Sequence, residues 1–158
     1  MKTVIQISAG LVMFFMVVCT ATAIDINALD MVSVLMNKSK VHSILGTPDE
    51  IDELKGDLKV ELYRINNAVP LVGAGCIYGE NQQLVGQAFV FQGEMGKEAA
   101  DKLKKNGFTI TEEKKGAFRL LGKDDDTGHP VMVHIVLNNN LTVIMTFEKD
   151  FYDRRVKE

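Results

Sequence analysis

The chain has 158 residues, a formal net charge of −3 and 25% charged side chains. That mildly acidic balance gives no attraction for nucleic acid or for an anionic lipid surface. The length suits one domain, and two cysteines are too few for a disulfide scaffold.

Residues 1–23 read as a secretory signal peptide. Lys2 is followed by the apolar run Ile7–Val18, 12 residues long, and then by small residues at Ala21 and Ala23. A membrane-spanning helix needs about 20 apolar residues, so cleavage between Ala23 and Ile24 is expected rather than a retained anchor. Cys19 offers a lipid anchor, but Val18 stands where such signals carry Gly or Ala; the lipid-anchored form is the lesser alternative. Residues 24–158 are then a single exported α+β domain of bacterial type, periplasmic or secreted, with no integral membrane segment after cleavage. Loss of Lys2 takes the charge from −3 to −4, and Cys76 is left with no cysteine to pair with.

Asn27 can cap a first helix that carries Ala28, Val32 and Leu35 at helical spacing. A second helix is predicted over 38–45, with Val41, Ile44 and Leu45 on one face. Gly46 is placed to end it and Pro48 to block its return. The charged stretch 49–57 reads as a solvated connection. Strands follow at 58–63, 71–78 and 84–91. Gly73 and Gly75 mark a bend, a bulge or a close approach within the second of these. A third helix is predicted over 95–106, with Met95, Ala99 and Leu103 inward. Gly107 is its C′ residue, and Phe108 folds back on Leu103. Further strands are predicted near 108–112, 117–122, 131–138 and 141–148, with a charged closing helix over 151–157. In the last two strands Val131, Val133, Ile135 and Leu137 alternate strictly, as do Leu141, Val143, Met145 and Phe147. A turn at 138–140 is expected to bring Ile135 and Val143 to one buried face, with Thr142 opposite. The fold class is α+β, with short N-terminal helices and a mid-chain helix packed on antiparallel sheet. The element order points to two helix-plus-strands units.

The segment from Leu35 to Glu50 carries a polar turn, a helix with Val41 and then Leu45-Gly46-Thr47-Pro48. It resembles the helical start of the SmpA/OmlA (BamE)-like envelope lipoproteins and of the β-lactamase inhibitor protein fold. The resemblance is confined to 35–50. Leu35-Met36-Asn37 replaces the Gly usual before the turn, and no Leu-Gly-x-Pro recurs after Gly93. It implies helices packed on an antiparallel sheet and an exported, protein-binding way of life, and it carries no binding residue across.

Candidate chemistry is thin. Asp124-Asp125-Asp126-Thr127-Gly128 has the wrong spacing for an EF-hand, whose Gly is sixth and whose Glu is twelfth. His42, His129 and His134 lack ligand spacing for zinc, and His134 is expected on the less buried side of its strand. Cys76 paired with His134 or His129 would make a small hydrolase, but apolar neighbours and no adjacent cation favour a buried, inert thiol. No catalytic, cofactor or metal residue is assigned. The expected function is a non-enzymatic binding protein of the cell envelope whose partner is another envelope or extracellular protein. Carriage of a small apolar ligand is the alternative, and the hydrolase ranks below it. Intact-mass measurement of the exported protein should give an N-terminus at Ile24; a mass carrying diacylglycerol on Cys19 would contradict this.

Overall fold

The structure is a computed structural model that describes residues 26–54, 58–66 and 68–157. The expected leader, with Cys19 and the Ala23–Ile24 cleavage point, lies outside the described residues, as does the side chain of Asn27. In chain order come α1 (Ile26–Leu29), α2 (Lys38–Leu45), β1 (Glu50–Leu54), β2 (Leu58–Arg64), β3 (Leu71–Tyr78) and β4 (Leu84–Gln92). Then follow α3 (Gly96–Lys105), β5 (Thr109–Lys114), β6 (Ala117–Lys123), β7 (Pro130–Asn138), β8 (Leu141–Glu148) and α4 (Lys149–Arg155). The strands make an eight-stranded antiparallel sheet in the order β1-β2-β3-β4-β8-β7-β6-β5. Each half is a meander, and the halves join where β4 pairs with β8, from Gly86 opposite Phe147 to Gln92 opposite Leu141.

Alternation along the strands gives the sheet two faces, and both are buried. On one face α1 and α2 cover Tyr63, Ala74 and Cys76 with Leu29, Val41 and Leu45. On the same face α3 covers Leu120, Val133 and Ile135 with Ala100 and Leu103. The opposite face holds Leu62, Ile77, Val90, Val143, Met145 and Phe147, packed with Phe151, Tyr152 and Val156 of the C-terminal segment.

The helix endings follow local chemistry. Gly46 has φ +82° at the end of α2. After α3, Gly107 has φ +88°, and the Phe108 N–H donates to the Leu103 carbonyl at 3.1 Å, a Schellman ending. Phe108 thereby joins Leu103 in the core. Gly122 leaves room for it: a Cβ at 122 would overlap the Phe108 ring.

Three expectations need correction. The first helix does not run to Leu35; α1 ends at Leu29, and Leu35 has φ +66°. Pairing with β4 wins over helical spacing there. The Leu35 N–H donates to the Leu84 carbonyl, and the Leu84 N–H donates to the Met36 carbonyl, both at 2.8 Å. The charged stretch 49–57 is not all loop, because 50–54 is the edge strand β1, held by β2 alone. Its charges suit an edge, where they discourage pairing with another chain.

The third correction concerns the β7–β8 hairpin. Its turn has two residues, Asn139 and Asn140, at φ +48° and +60°, the positive values that Asn tolerates in a tight hairpin. Asn138 therefore faces Leu141, and Ile135 faces Ile144. Ile135 and Val143 consequently lie on opposite faces, Ile135 under α3 and Val143 toward α4. Thr142 is fully buried on the Ile135 face. Its hydroxyl donates to the Gly93 carbonyl at 2.6 Å and accepts from the Met95 N–H at 2.8 Å, fixing the entry to α3. Ile135→Ala should cost about 2–5 kcal/mol. Thr142→Ala should now also be costly, about 1–3 kcal/mol, because it leaves part-buried backbone groups without their partner. Denaturant melts check both, and a negligible shift for Thr142→Ala would contradict the register.

Candidate functional site

Alternation along β2 puts Glu61 and Tyr63 on the face that α2 covers, so a carboxylate is carried into the protein. Glu61 is 2% exposed. Lys38 and His42, one helical turn apart on α2, both reach it. The Lys38 ammonium and the His42 Nε2 each lie 2.6 Å from a Glu61 carboxylate oxygen. The Tyr63 hydroxyl donates to the same carboxylate at 3.3 Å. Tyr78 completes the cluster: Lys38 sits 5.0 Å above its ring, and His42 meets it edge-on at 6.2 Å. Burial pushes the Glu61 pKa up, but the bonds from Lys38 and His42 outweigh it, and Glu61 is held below the usual carboxylate range.

Cys76 lies under the same helix, fully buried and unpaired. Burial first, and the Glu61 charge second, push its thiol up to about 12. At neutral pH it is a protonated, apolar group rather than a nucleophile. The structure does not bring it to either histidine proposed as its base. His134 is on β7, opposite Met145, on the other face of the sheet, and His129 is in the loop before β7.

His134 is also not on a less buried side. It is 1% exposed, wedged edge-on between Phe147 at 6.0 Å and Tyr152 of α4 at 5.0 Å. Burial, and then the Arg119 charge, lower its pKa to about 4 against the opposing pull of Glu112. The Asp124 loop is a closed turn, with the Asp124 carboxylate accepting from the Thr127 N–H at 2.9 Å and from its hydroxyl at 2.7 Å. Among the described residues no group of three His, Cys, Asp or Glu stands close enough to hold a metal ion.

Beside the Glu61 cluster a groove of about 870 Å³ opens at one end of the sheet. Lys38, Tyr78 and Glu80 line it together with Asp150, Arg154 and Arg155 of α4, and Leu58, Val85 and Phe151 give it apolar surface. Cys76 is not part of its lining. Charges of both signs thus share the lining with apolar side chains, a composition suited to holding an extended polar chain with apolar side groups. The sequence signals for this site were Lys38 and His42 at i and i+4, and Glu61 at alternating spacing with Leu62. They become a site only because α2 packs over β2.

No protein-family model matches the chain, and no curated protein matches its sequence significantly. Among solved structures, an extracellular protein containing a SCP domain from Bacillus anthracis str. Ames matches with a TM-score of 0.46 and 12% identity. The match covers 88% of this chain and 50% of that one, so the chain spans half that protein's length. At this distance the likeness bears on neither fold nor function. No helix among the described residues is long and apolar enough to cross a membrane.

Glu61→Gln should weaken the grip of α2 and cost about 1–2 kcal/mol, less than for a wholly buried pair because Lys38 and His42 are partly solvated. The depressed pKa of Glu61 stabilises the fold above the ordinary carboxylate range, and that stability is lost as pH falls through the folded value. Acid titration of stability should accordingly be shallower in Glu61→Gln than in wild type. Cys76→Ala should cost about 1 kcal/mol. The native thiol should react with a disulfide reagent only through opening of the fold; fast labelling at neutral pH would contradict its assignment.

Proposed function

We propose that this is an exported, non-enzymatic binding protein of the cell envelope, periplasmic or secreted, whose groove holds an extended segment of another protein. The observation that carries the reading is the groove lining, in which charged side chains of both signs stand together with Leu58, Val85 and Phe151. A polypeptide presents charged, polar and apolar groups together, and this surface has a counterpart for each. The protonated, sealed state of Cys76 favours binding over hydrolysis. The leader-like residues 1–23, and the resemblance of 35–50 to envelope lipoproteins and to the β-lactamase inhibitor protein fold, support the compartment and the mode of action. The two helix-plus-strands units belong to the same proposal, as a binding scaffold whose halves share one sheet.

Carriage of a small apolar ligand is the second reading, because the groove volume lies within the range of small-molecule sites, roughly 300–1,000 Å³. The charged walls count against it. A photoreactive side chain placed at Glu80, in the groove, should give discrete protein adducts in the protein's own envelope extract. One placed at the exposed Lys104 on α3 should not. Equal labelling from both positions, or bound lipid in the native mass spectrum with no protein adduct, would overturn the reading.

A further inference from the structure

α4 has two roles that meet in one short helix. Its outer side lines the groove through Asp150, Arg154 and Arg155, while Tyr152 packs inward against His134. His134 is a poor foundation for it. The ring is fully enclosed, and its Nε2 has no hydrogen-bond partner. A buried unpaired nitrogen is tolerable on a neutral imidazole and costly on a charged one.

The surroundings of His134 do not provide for a charge. β8 presents the apolar Met145 opposite it and Phe147 against its edge. β6 presents Arg119, directly across from His134 in the ladder, which repels an imidazolium. β5 presents Glu112, an opposing charge, but it is already shared between Arg119 and Lys114. α4 presents Tyr152, with Lys149 and Asp153 paired to each other on the same helix. We propose that α4 is an acid-released latch: protonation of His134 lifts Tyr152 and the helix from the sheet and dismantles one wall of the groove.

Release is the direction in which protonation leads because only the open form can hydrate the imidazolium. Its folded pKa of about 4 against an ordinary 6.5 means that acidification from about pH 6.5 downward favours the open form progressively, by at most about 300-fold once the closed form also protonates. Opening would also uncover Met132 and Phe147, which share a core with Phe151 and Val156. The consequence for ligand release rests on the groove reading, but the latch itself is measurable on the isolated protein with no ligand.

The test is hydrogen exchange of the peptide covering 149–157 between pH 7 and pH 4, corrected for intrinsic rates, with binding of an apolar fluorescent dye followed in parallel. Wild type should lose protection in α4 before β7 and β8 do, with dye binding rising in step. His134→Phe, which keeps the aromatic packing, should move that midpoint down by at least one pH unit. His134→Gln, which cannot charge in this range, should do the same and covers the case in which the Phe variant folds poorly. Glu148, whose carboxylate caps α4 by accepting from the Asp150 and Phe151 N–H groups, is the control for loss of the cap. A midpoint that moves in Glu148→Gln but not in the His134 variants would overturn the proposal. So would α4 protection that persists until the whole sheet unfolds.

Discussion

The ladder between β4 and β8 is the constraint on which the structure depends. Every other strand pairs within its own meander, so this contact alone makes one sheet from two four-stranded halves. It brings Val90 beside Val143, Ala88 beside Met145 and Gly86 beside Phe147, all on the face that α4 closes. The fit is close at Gly86, where a Cβ would press on the Phe147 ring at 3.0 Å. The position of Phe147 in turn sets where His134 and Tyr152 can pack. The groove is lined by the β3–β4 turn and by α4, two elements that the ladder holds together.

Burial of both faces explains the unusual distribution of polar groups. A sheet covered on one side keeps its polar alternates in water. Here α2 lies over the polar alternates of β2, and α4 lies over His134 on β7. The group that each helix covers must therefore be either paired or uncharged. α2 supplies Lys38 and His42, which turn Glu61 into a tether between helix and sheet. α4 has no comparable group for His134 and relies on its staying uncharged. The two short helices thus differ in their response to acid: one is held by an ion pair, the other by the absence of a charge.

Much of this was legible in the sequence where local chemistry decides. Val41, Ile44, Leu45 and Gly46 gave α2 its bounds, and Leu103, Gly107 and Phe108 gave α3 its ending. The strict alternation of 131–137 and 141–147 marked the central hairpin. What could not be read was which face each alternation meets. Asn138-Asn139-Asn140 looked like a three-residue turn, and the true two-residue turn moves Val143 to the other side of the sheet from Ile135. The alternation alone puts His134 on the less buried side of its strand, and nothing local announces a helix packed over it or over Glu61. β1 was hidden by its own charges, which belong to an edge strand as readily as to a loop. The groove shared this fate, since its walls come from segments more than sixty residues apart, brought together only by the sheet order.

The central claim is that the two halves form one cooperative unit through β4 and β8, on which α4 and the groove are mounted. Native-state hydrogen exchange in increasing denaturant tests it most directly, read strand by strand at neutral pH. The account predicts that amides of β2–β4 and of β6–β8 converge on one opening free energy, with those of the β4–β8 ladder among the slowest. Exchange of one meander at a distinctly lower free energy than the other, with β4–β8 amides opening alongside the weaker half, would contradict it.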